Sequence, residues 1–331
     1  MNYFMQQLAI IIPTLNEENF ISKCLDSVIV QTYPFERMDI MVVDGGSTDK
    51  TCEIVQEYHK KYANIRLLHN PKKIQSAAFN IGVDASAAPY IIRLDAHALY
   101  DEKYIELCIQ GLEDDFQRGN VGGMWNIVPQ NTSIWAEANA ILNYSKFGIG
   151  GASFRVGAEA GNVDTVPFGA FPRKVLEEIG GMREDLPRGE DNEYNSRIKK
   201  AGYKIYFSPE IQCTYFARPT LMSSVKQMYA NGESIGILCY IDKEAIGIRH
   251  LIPLLFVIGV VFGALLSLVY KPFAYVYMTV GLVYFCANIL ASLQCSIKHG
   301  IKFFVPLSIL FLAVHIAYGI GTIKGLVKKK Y

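Results

Sequence analysis

The last 81 residues of the chain contain no Asp, Glu or Arg, and the only charged groups between Leu251 and Tyr331 are Lys271, Lys298, Lys302, Lys324, Lys328, Lys329 and Lys330. Three apolar runs fill this stretch: Leu251 to Tyr270, Phe273 to Ser292 and Phe303 to Ile323. Each has about the 20 residues a helix needs to cross a hydrocarbon core of roughly 30 Å. Buried core helices are the competing explanation, but three uncharged runs of this length on short linkers favour membrane insertion. Tyr270, Tyr275, Tyr277 and Tyr284 lie at or near the ends of runs, where ring and hydroxyl suit the interface. Asn288 and His315 lie inside spans and read as partners in interhelical hydrogen bonds.

All 31 acidic residues therefore precede Leu251, together with 25 of the 32 Lys and Arg, so the first 250 residues carry a formal charge of −6 and the tail +7. The net charge of +1 describes neither part, and it gives no reason to expect a nucleic-acid partner. With 51% hydrophobic and 19% charged residues the chain is not disordered, and a mean hydropathy of +0.18 reflects the tail. Seven scattered cysteines without a CxxC pair read as reduced packing thiols. The run Leu8 to Ile12 is too short for a signal-peptide core and has no basic flank, so it reads as a buried strand. Lys243, Arg249 and His250 before the first span, with Lys298, His299 and Lys302 between the second and third, favour a cytoplasmic amino-terminal part. Three full crossings would then put Lys328 to Lys330 outside, against the same rule. Either one run is re-entrant or interfacial, or the tail is an exception.

Ahead of the tail, short β-branched runs alternate with segments of helical period. Strands are expected at Leu8 to Pro13, Asp39 to Val43, Ile65 to His69 and Tyr90 to Leu94, and helices near Asn19 to Val30, Asp49 to Tyr62 and Ser76 to Ala85. Such alternation implies an α/β domain with a mostly parallel central sheet, whose ligands bind beyond the carboxyl ends of the strands. Just past three of those ends stand Pro13-Thr14-Leu15-Asn16-Glu17, Asp44-Gly45-Gly46-Ser47-Thr48-Asp49 and Asp95-Ala96-His97. Two glycines let a ligand approach the backbone, and Ser47 or Thr48 can cap the next helix. Asp44 alone reads equally well as a turn residue. No GxGxxG stands at a strand-to-helix turn and no GxxxxGK[ST] occurs, so dinucleotide and P-loop sites have no support.

These segments, with Glu190-Asp191 later in the same order, resemble the family 2 inverting glycosyltransferases of the GT-A nucleotide-diphospho-sugar-binding fold. Asn70-Pro71, Arg93-Leu94-Asp95-Ala96-His97-Ala98, Val163-Asp164-Thr165-Val166-Pro167-Phe168-Gly169 and Gly189-Glu190-Asp191-Asn192-Glu193 are most similar to succinoglycan-type exopolysaccharide glucosyltransferases. The resemblance covers roughly residues 7 to 235. It implies a catalytic domain over 1–218, an amphipathic interfacial segment over 219–250 marked by Leu221, Val225 and Tyr229, and a membrane domain of about three helices over 251–331.

It also implies roles. Pro13, Thr14, Glu17 and Asp44 would hold a uridine nucleotide, and Asp95 the donor's ribose and a divalent cation. His97 stands where the family more usually has a second Asp, which makes Mn²⁺ at least as suitable as Mg²⁺. Asp164 matches a recurring donor-side Asp. Glu190 and Asp191, both expected catalytic residues, open a helix expected to run to about Ala201 and stop at Gly202, with Tyr194, Ile198 and Ala201 as its apolar stripe; Asp191 would be the catalytic base. Lys72, Lys73 and Arg93 are candidates to neutralise phosphate. The expected activity is transfer of a hexose, glucose by the closest resemblance, from a UDP-sugar to a polyprenyl-diphosphate-linked glycan. It would take place at the cytoplasmic face of the inner (plasma) membrane, in exopolysaccharide or surface-polysaccharide synthesis. Transfer to polyprenyl phosphate itself, as in dolichol-phosphate-type enzymes, and a non-catalytic membrane-anchored binding protein are the alternatives. Gln227-Met228-Tyr229-Ala230-Asn231 in place of a Gln-x-x-Arg-Trp motif argues against a processive synthase.

Overall fold

The computed structural model describes residues 7–186 and 188–328; Lys329 and Lys330, part of the basic terminus, lie outside the described residues. The elements in chain order are β1 (Leu8–Thr14), α1 (Ile21–Ile29), β2 (Met38–Asp44), α2 (Thr51–Lys61), β3 (Ile65–His69), α3 (Gln75–Asp84), β4 (Tyr90–Arg93), β5 (Ala98–Tyr100) and α4 (Tyr104–Glu113). Then come β6 (Arg118–Pro129), α5 (Ile134–Tyr144), α6 (Lys146–Ile149), α7 (Ser153–Val156), β7 (Gly161–Asn162), β8 (Ala170–Pro172), α8 (Arg173–Ile179), α9 (Glu190–Lys200) and β9 (Lys204–Ala217). Four longer helices close the chain: α10 (Leu221–Ile241), α11 (Ile252–Val269), α12 (Lys271–His299) and α13 (Phe304–Val327). They form two compact units, one of residues 1–126 and 152–215, the other of 127–151 and 216–331.

In the first unit the strands lie in the order β3-β2-β1-β4-β8-β6-β9-β5, with β7 on β9. The β3-β2-β1-β4 half is parallel, as the alternation predicts. The β4–β8, β6–β8, β5–β9 and β7–β9 pairs are antiparallel, so the sheet as a whole is mixed. Strands β1 and β2 are buried at every position because helices cover both faces of a parallel sheet. Under α3 the backbone comes so close that a Cβ on Gly82 would sit 2.6 Å from Ile11 Cγ1. Phe79, Phe171 and Tyr194 form an edge-to-face trio with centroids 5.7–6.1 Å apart, joining α3, β8 and α9 in one core.

Helix α9 starts at Glu190 and ends at Lys200, with Gly202 at φ +88° just past it, as the sequence predicts. Its first turn carries Glu190, Asp191 and Glu193 and its last Arg197, Lys199 and Lys200, both signs complementing the helix dipole. The α2 start differs from expectation: the helix begins at Thr51, and neither Ser47 nor Thr48 caps it. Asp49 does the local bonding instead, accepting from the Thr51 N–H at 3.0 Å and the Thr51 hydroxyl at 2.6 Å.

In the second unit three helical segments, Ile248–Val269, Lys271–His299 and Ile301–Val327, are long and apolar enough to cross a membrane. Asn288 donates to the Ser308 carbonyl at 3.2 Å. His315 sits between the Tyr284 hydroxyl at 3.0 Å and the Phe147 carbonyl at 2.8 Å, so both polar groups bond between helices as expected. Helix α10 runs 21 residues, well beyond the segment that Leu221, Val225 and Tyr229 mark. It lies against α13 through glycines on both sides: Gly232 faces the Tyr318 backbone and Gly321 the Tyr229 backbone. Lys324 and Lys328 bond Glu233 at 3.0 and 3.2 Å.

Candidate active site

The loops after β1 and β2 are laced together. Asn16, at φ +55°, donates its N–H to Ser47 Oγ at 2.8 Å, and its Oδ1 accepts the Thr48 N–H at 2.8 Å; the Glu17 N–H bonds Thr51 Oγ1 at 2.8 Å. Pro13 and Thr14 end β1 in register with Val43 and Asp44, both buried, and Thr14 donates its hydroxyl to the Ile12 carbonyl. Asp44 organises its own turn. Its Oδ2 accepts from the Gly46 and Ser47 N–H groups at 2.8 and 3.0 Å, and its Oδ1 from the Ser47 hydroxyl at 2.5 Å. Burial would raise its pKa, but these donors outweigh that and hold it below the usual carboxylate range. The Cys52 thiol is a further donor to the same carboxylate, so Asp44 is tied into its own turn and into the start of α2.

Asp95 and His97 follow β4. The Asp95 backbone is fixed by Tyr100, whose hydroxyl takes its N–H at 2.7 Å and donates to its carbonyl at 3.1 Å. His97 Nδ1 lies 3.2 Å from Glu17 Oε1, with the Phe20 and Tyr215 rings at 6.4 and 6.0 Å. A neutral His97 that donates Nδ1–H to Glu17 presents Nε2 as a lone pair, the arrangement by which a carboxylate orients a metal-ligating imidazole.

Arg93 connects this end of the sheet to α9. Residues 93 and 95 stand two apart at a strand end and so share a face. The buried guanidinium lies 3.7 Å from Asp95 Oδ1 and 3.5 Å from Glu190 Oε1, and donates to Gln75 Oε1 at 3.1 Å. Its Nε is buried without a partner among the described residues. Burial and the neighbouring Asp191 carboxylate push the Glu190 pKa up, with Arg93 pulling against them. Asp191 is exposed in the first turn, and its Oδ1 accepts the Asn192 N–H at 2.9 Å. A shallow cleft between β4 and α9 is lined by Arg93, Asn120, Val166, Asp191, Tyr194 and Asn195.

Other expected residues are placed differently. Asp164 is exposed and lies 3.7 Å from Lys199, in the last turn of α9, whereas Asp191 is in the first. Lys72 pairs with Glu184, while Lys73, at φ +59°, brings its ammonium beside Gly46. Sequence reasoning missed Glu17 as the partner of His97 and Gln75 and Glu190 as partners of Arg93. The i, i+2 spacing of Arg93 and Asp95 was the available signal for the ion pair.

A family model for glycosyl transferase family 2 matches residues 9–180. The chain belongs to that family. This glycosyltransferase is 30% identical over 98% of its length to the dolichyl N-acetyl-alpha-D-glucosaminyl phosphate 3-beta-D-2,3-diacetamido-2,3-dideoxy-beta-D-glucuronosyltransferase of Methanococcus voltae, and the match covers 98% of that protein. The succinoglycan biosynthesis protein ExoA of Rhizobium meliloti is 30% identical, with 78% of each chain covered. Among solved structures, the mannosyltransferase PcManGT from Pyrobaculum calidifontis, in complex with GDP-Man and Mn²⁺, superposes with a TM-score of 0.62 at 18% identity. That match covers 99% of this glycosyltransferase and 89% of the other chain. The likeness shows the fold: a GT-A-like sheet followed by apolar helices.

Among the described residues no group of three His, Cys, Asp or Glu could hold a metal ion. Asp95 and His97 offer one carboxylate and one imidazole, a donor set that fits a cation sharing its remaining positions with diphosphate oxygens and water. The unpartnered Arg93 Nε is a further donor suited to an anion.

Proposed function

We propose that the protein is an inverting, membrane-anchored transferase that moves a hexosyl group from a UDP-sugar to a lipid-linked saccharide at the cytoplasmic face of the inner membrane, in exopolysaccharide or surface-polysaccharide synthesis. The observation that carries this reading is the Arg93 bridge. A single buried guanidinium joins Asp95, on the expected donor side, to Glu190 at the start of the expected acceptor-side helix. Full-length similarity to an enzyme named for a dolichyl-phosphate-linked acceptor supports the lipid-linked saccharide over bare polyprenyl phosphate. Glucose is the donor that resemblance to the succinoglycan-type enzymes implies, and the Methanococcus relative's name adds a glucuronosyl derivative to test.

In this reading Thr14, Pro13, Glu17 and Asp44 hold the nucleotide. Asp164 is kept as a donor-side residue on the resemblance. Asp95 and His97 would hold a divalent cation, Mn²⁺ or Mg²⁺, which supplies charge neutralisation of the departing diphosphate. Arg93 adds positive charge at the same place and keeps Glu190 fixed. Asp191, exposed at the cleft, accepts the proton of the acceptor hydroxyl as that oxygen bonds to the anomeric carbon and the bond to the diphosphate breaks.

The test is a panel of radiolabelled UDP-glucose, UDP-N-acetylglucosamine and UDP-glucuronate. Each is incubated, with and without Mn²⁺, with membranes that hold the protein and lipid-linked saccharides, N-acetylglucosaminyl polyprenyl phosphate among them. The reading expects label in an extended lipid saccharide from one donor and at least a hundredfold loss of turnover in Asp191→Asn with donor binding retained. Label found only on polyprenyl phosphate, or near-normal turnover in Asp191→Asn, would overturn the acceptor or the base respectively.

A further inference from the structure

We propose that Asn120 is a donor-specificity residue, whose amide oxygen and the Nε–H of Arg93 take one hydroxyl of the transferred hexose between them. The proposal rests on the donor reading above and names the group of the hexose that is recognised. Strands β4, β8 and β6 lie side by side, with Ile91 opposite Phe171 and both Ile92 and Val121 opposite Ala170. Side chains alternate along a strand, so Arg93, Phe171 and Asn120 share one face. Helix α9 covers that face: Tyr194 packs edge-to-face on Phe171 at 5.8 Å, and Asn195 Oδ1 accepts from Asn120 Nδ2 at 2.8 Å. Arg93 and Asn120 thus flank the middle strand, and Gly169, at φ +74° just before β8, leaves the row between them without a side chain. The Gly169 carbonyl accepts the Arg93 N–H at 3.1 Å, and a Cβ on Gly169 would meet Asn120 Oδ1 at 2.7 Å. The amide oxygen therefore lies against the same backbone that holds Arg93.

Asn120 is 2% exposed and Arg93 8%, yet Asn120 Oδ1 and Arg93 Nε have no hydrogen-bond partner among the described residues. The other polar atoms of both side chains do: Asn120 Nδ2 bonds Asn195, and the terminal Arg93 nitrogens reach Glu190 and Gln75. A buried polar atom left unpaired is costly, so two of them beside one cleft mark a place for a ligand group. Both residues line the cleft that Asp191 also lines. Nε alone would suit an anion, but the amide oxygen in the same cleft requires an occupant that accepts from Arg93 and donates to Asn120. A hydroxyl does both through one oxygen. A phosphate oxygen has no proton to give and an ammonium no lone pair. The cleft has room for about one water-sized group, too little for an acetamido substituent.

The surroundings of the pair assign the hydroxyl to the donor hexose. Arg93 also reaches Asp95, on the expected diphosphate side, at 3.7 Å, and Asp191, the expected base, lines the cleft. What stands between a departing diphosphate and the base is the sugar in transfer. Before the donor arrives, water can serve both atoms, and a hexose hydroxyl in its place keeps both bonds. A hexose that lacks the hydroxyl displaces the water and leaves donor and acceptor unpaired, which is how a polar site rejects a deoxy analogue more strongly than a lost contact would.

The test measures dissociation constants by titration calorimetry on the full chain in detergent with Mn²⁺, and so needs no acceptor. The probes are UDP, UDP-glucose and its 2-, 3-, 4- and 6-deoxy counterparts, or the same series built on the donor that the panel above selects in place of glucose. Wild type should bind one of the deoxy donors about tenfold or more weakly than the parent, the scale of a lost hydrogen bond to a charged group. In Asn120→Ala that difference should fall below about threefold, because the parent weakens and the deoxy donor does not. Arg93→Lys, which keeps the charge and removes Nε, should flatten the difference at the same carbon. A purely structural role of Asn120 weakens every probe together and leaves the ratios as in wild type, a result that overturns the proposal. So does a wild type indifferent to every deletion, as water alone in the cleft would give, or flattening at different carbons in the two variants. Should Asn120→Ala no longer bind UDP, Asn120→Ser and Arg93→Lys decide by the same criteria. If UDP does not bind wild type, the donor reading itself fails, an outcome distinct from wild type that binds UDP and ignores the deletions.

Discussion

Replacing Arg93 by Met keeps most of the side chain's length and removes its charge. The guanidinium has Asp95 at 3.7 Å, Glu190 at 3.5 Å and Gln75 at 3.1 Å, and it is 8% exposed. Removing one partner of a buried pair costs about 3–5 kcal/mol because the other charge is left uncompensated. Both ion-pair distances are long for charge-assisted bonds, which places the expected cost near the lower end, about 3 kcal/mol. The chain has two compact units, so local opening is the quantity to read: hydrogen exchange at α9 and β4 amides of the full chain in detergent should speed up roughly a hundredfold. Adding Glu190→Gln neutralises the orphan carboxylate. Burial and Asp191 push the Glu190 pKa up and Arg93 pulls it down, so without Arg93 the charged carboxylate is disfavoured and the neutral amide should recover a large part of the lost protection. A double-mutant cycle over Arg93 and Glu190 should therefore give a coupling above about 1 kcal/mol, insensitive to salt because the pair is buried. Coupling below about 0.5 kcal/mol, or one that salt abolishes, would refute the bridge as the joint between strand end and helix start.

His97→Ala should leave activity measurable at saturating Mn²⁺ and depress it several-fold at limiting Mn²⁺ in a metal titration; full activity at limiting metal would remove His97 from the metal site. Asp44 is held below the usual carboxylate pKa, so the stability it adds is present above about pH 4 and lost as pH falls through its native value. Denaturation of Asp44→Asn against wild type should accordingly show a gap at pH 6 that narrows towards pH 3, and a constant gap would contradict that account. Gly321→Val places a branched side chain against the Tyr229 backbone and should cost about 1–3 kcal/mol by overpacking, read as a lower melting temperature in detergent.

Strands β1 to β4 and helices α1 to α3 were legible because each is written locally, in a buried β-branched run or a helical period, and consecutive elements of this kind have few ways to assemble. The antiparallel half was not. Strands β5 and β8 have three residues each and β7 two, too short to show a period. Leu221, Val225 and Tyr229 mark only the first turns of α10; its later turns carry Gly232 and Gly236, which are points where its backbone meets α13. The site divides along the same line: strand-end residues were visible by position, while their partners come from far away in sequence.

His97 shows what such a partner changes. Taken alone, a histidine in place of the usual second Asp removes a negative charge from a place that should attract a cation. Glu17, 80 residues earlier, reaches Nδ1 at 3.2 Å. That contact restores a carboxylate one bond further out, and it favours the tautomer whose Nε2 is a ligand. The same carboxylate was expected to contact the nucleotide, so a Glu17→Gln variant separates the two duties. Gln retains an acceptor for the imidazole N–H but loses the charge. Weakened Mn²⁺ dependence with unchanged nucleotide affinity would place Glu17 behind His97, whereas a loss of UDP affinity in metal-free titrations would place it on the nucleotide.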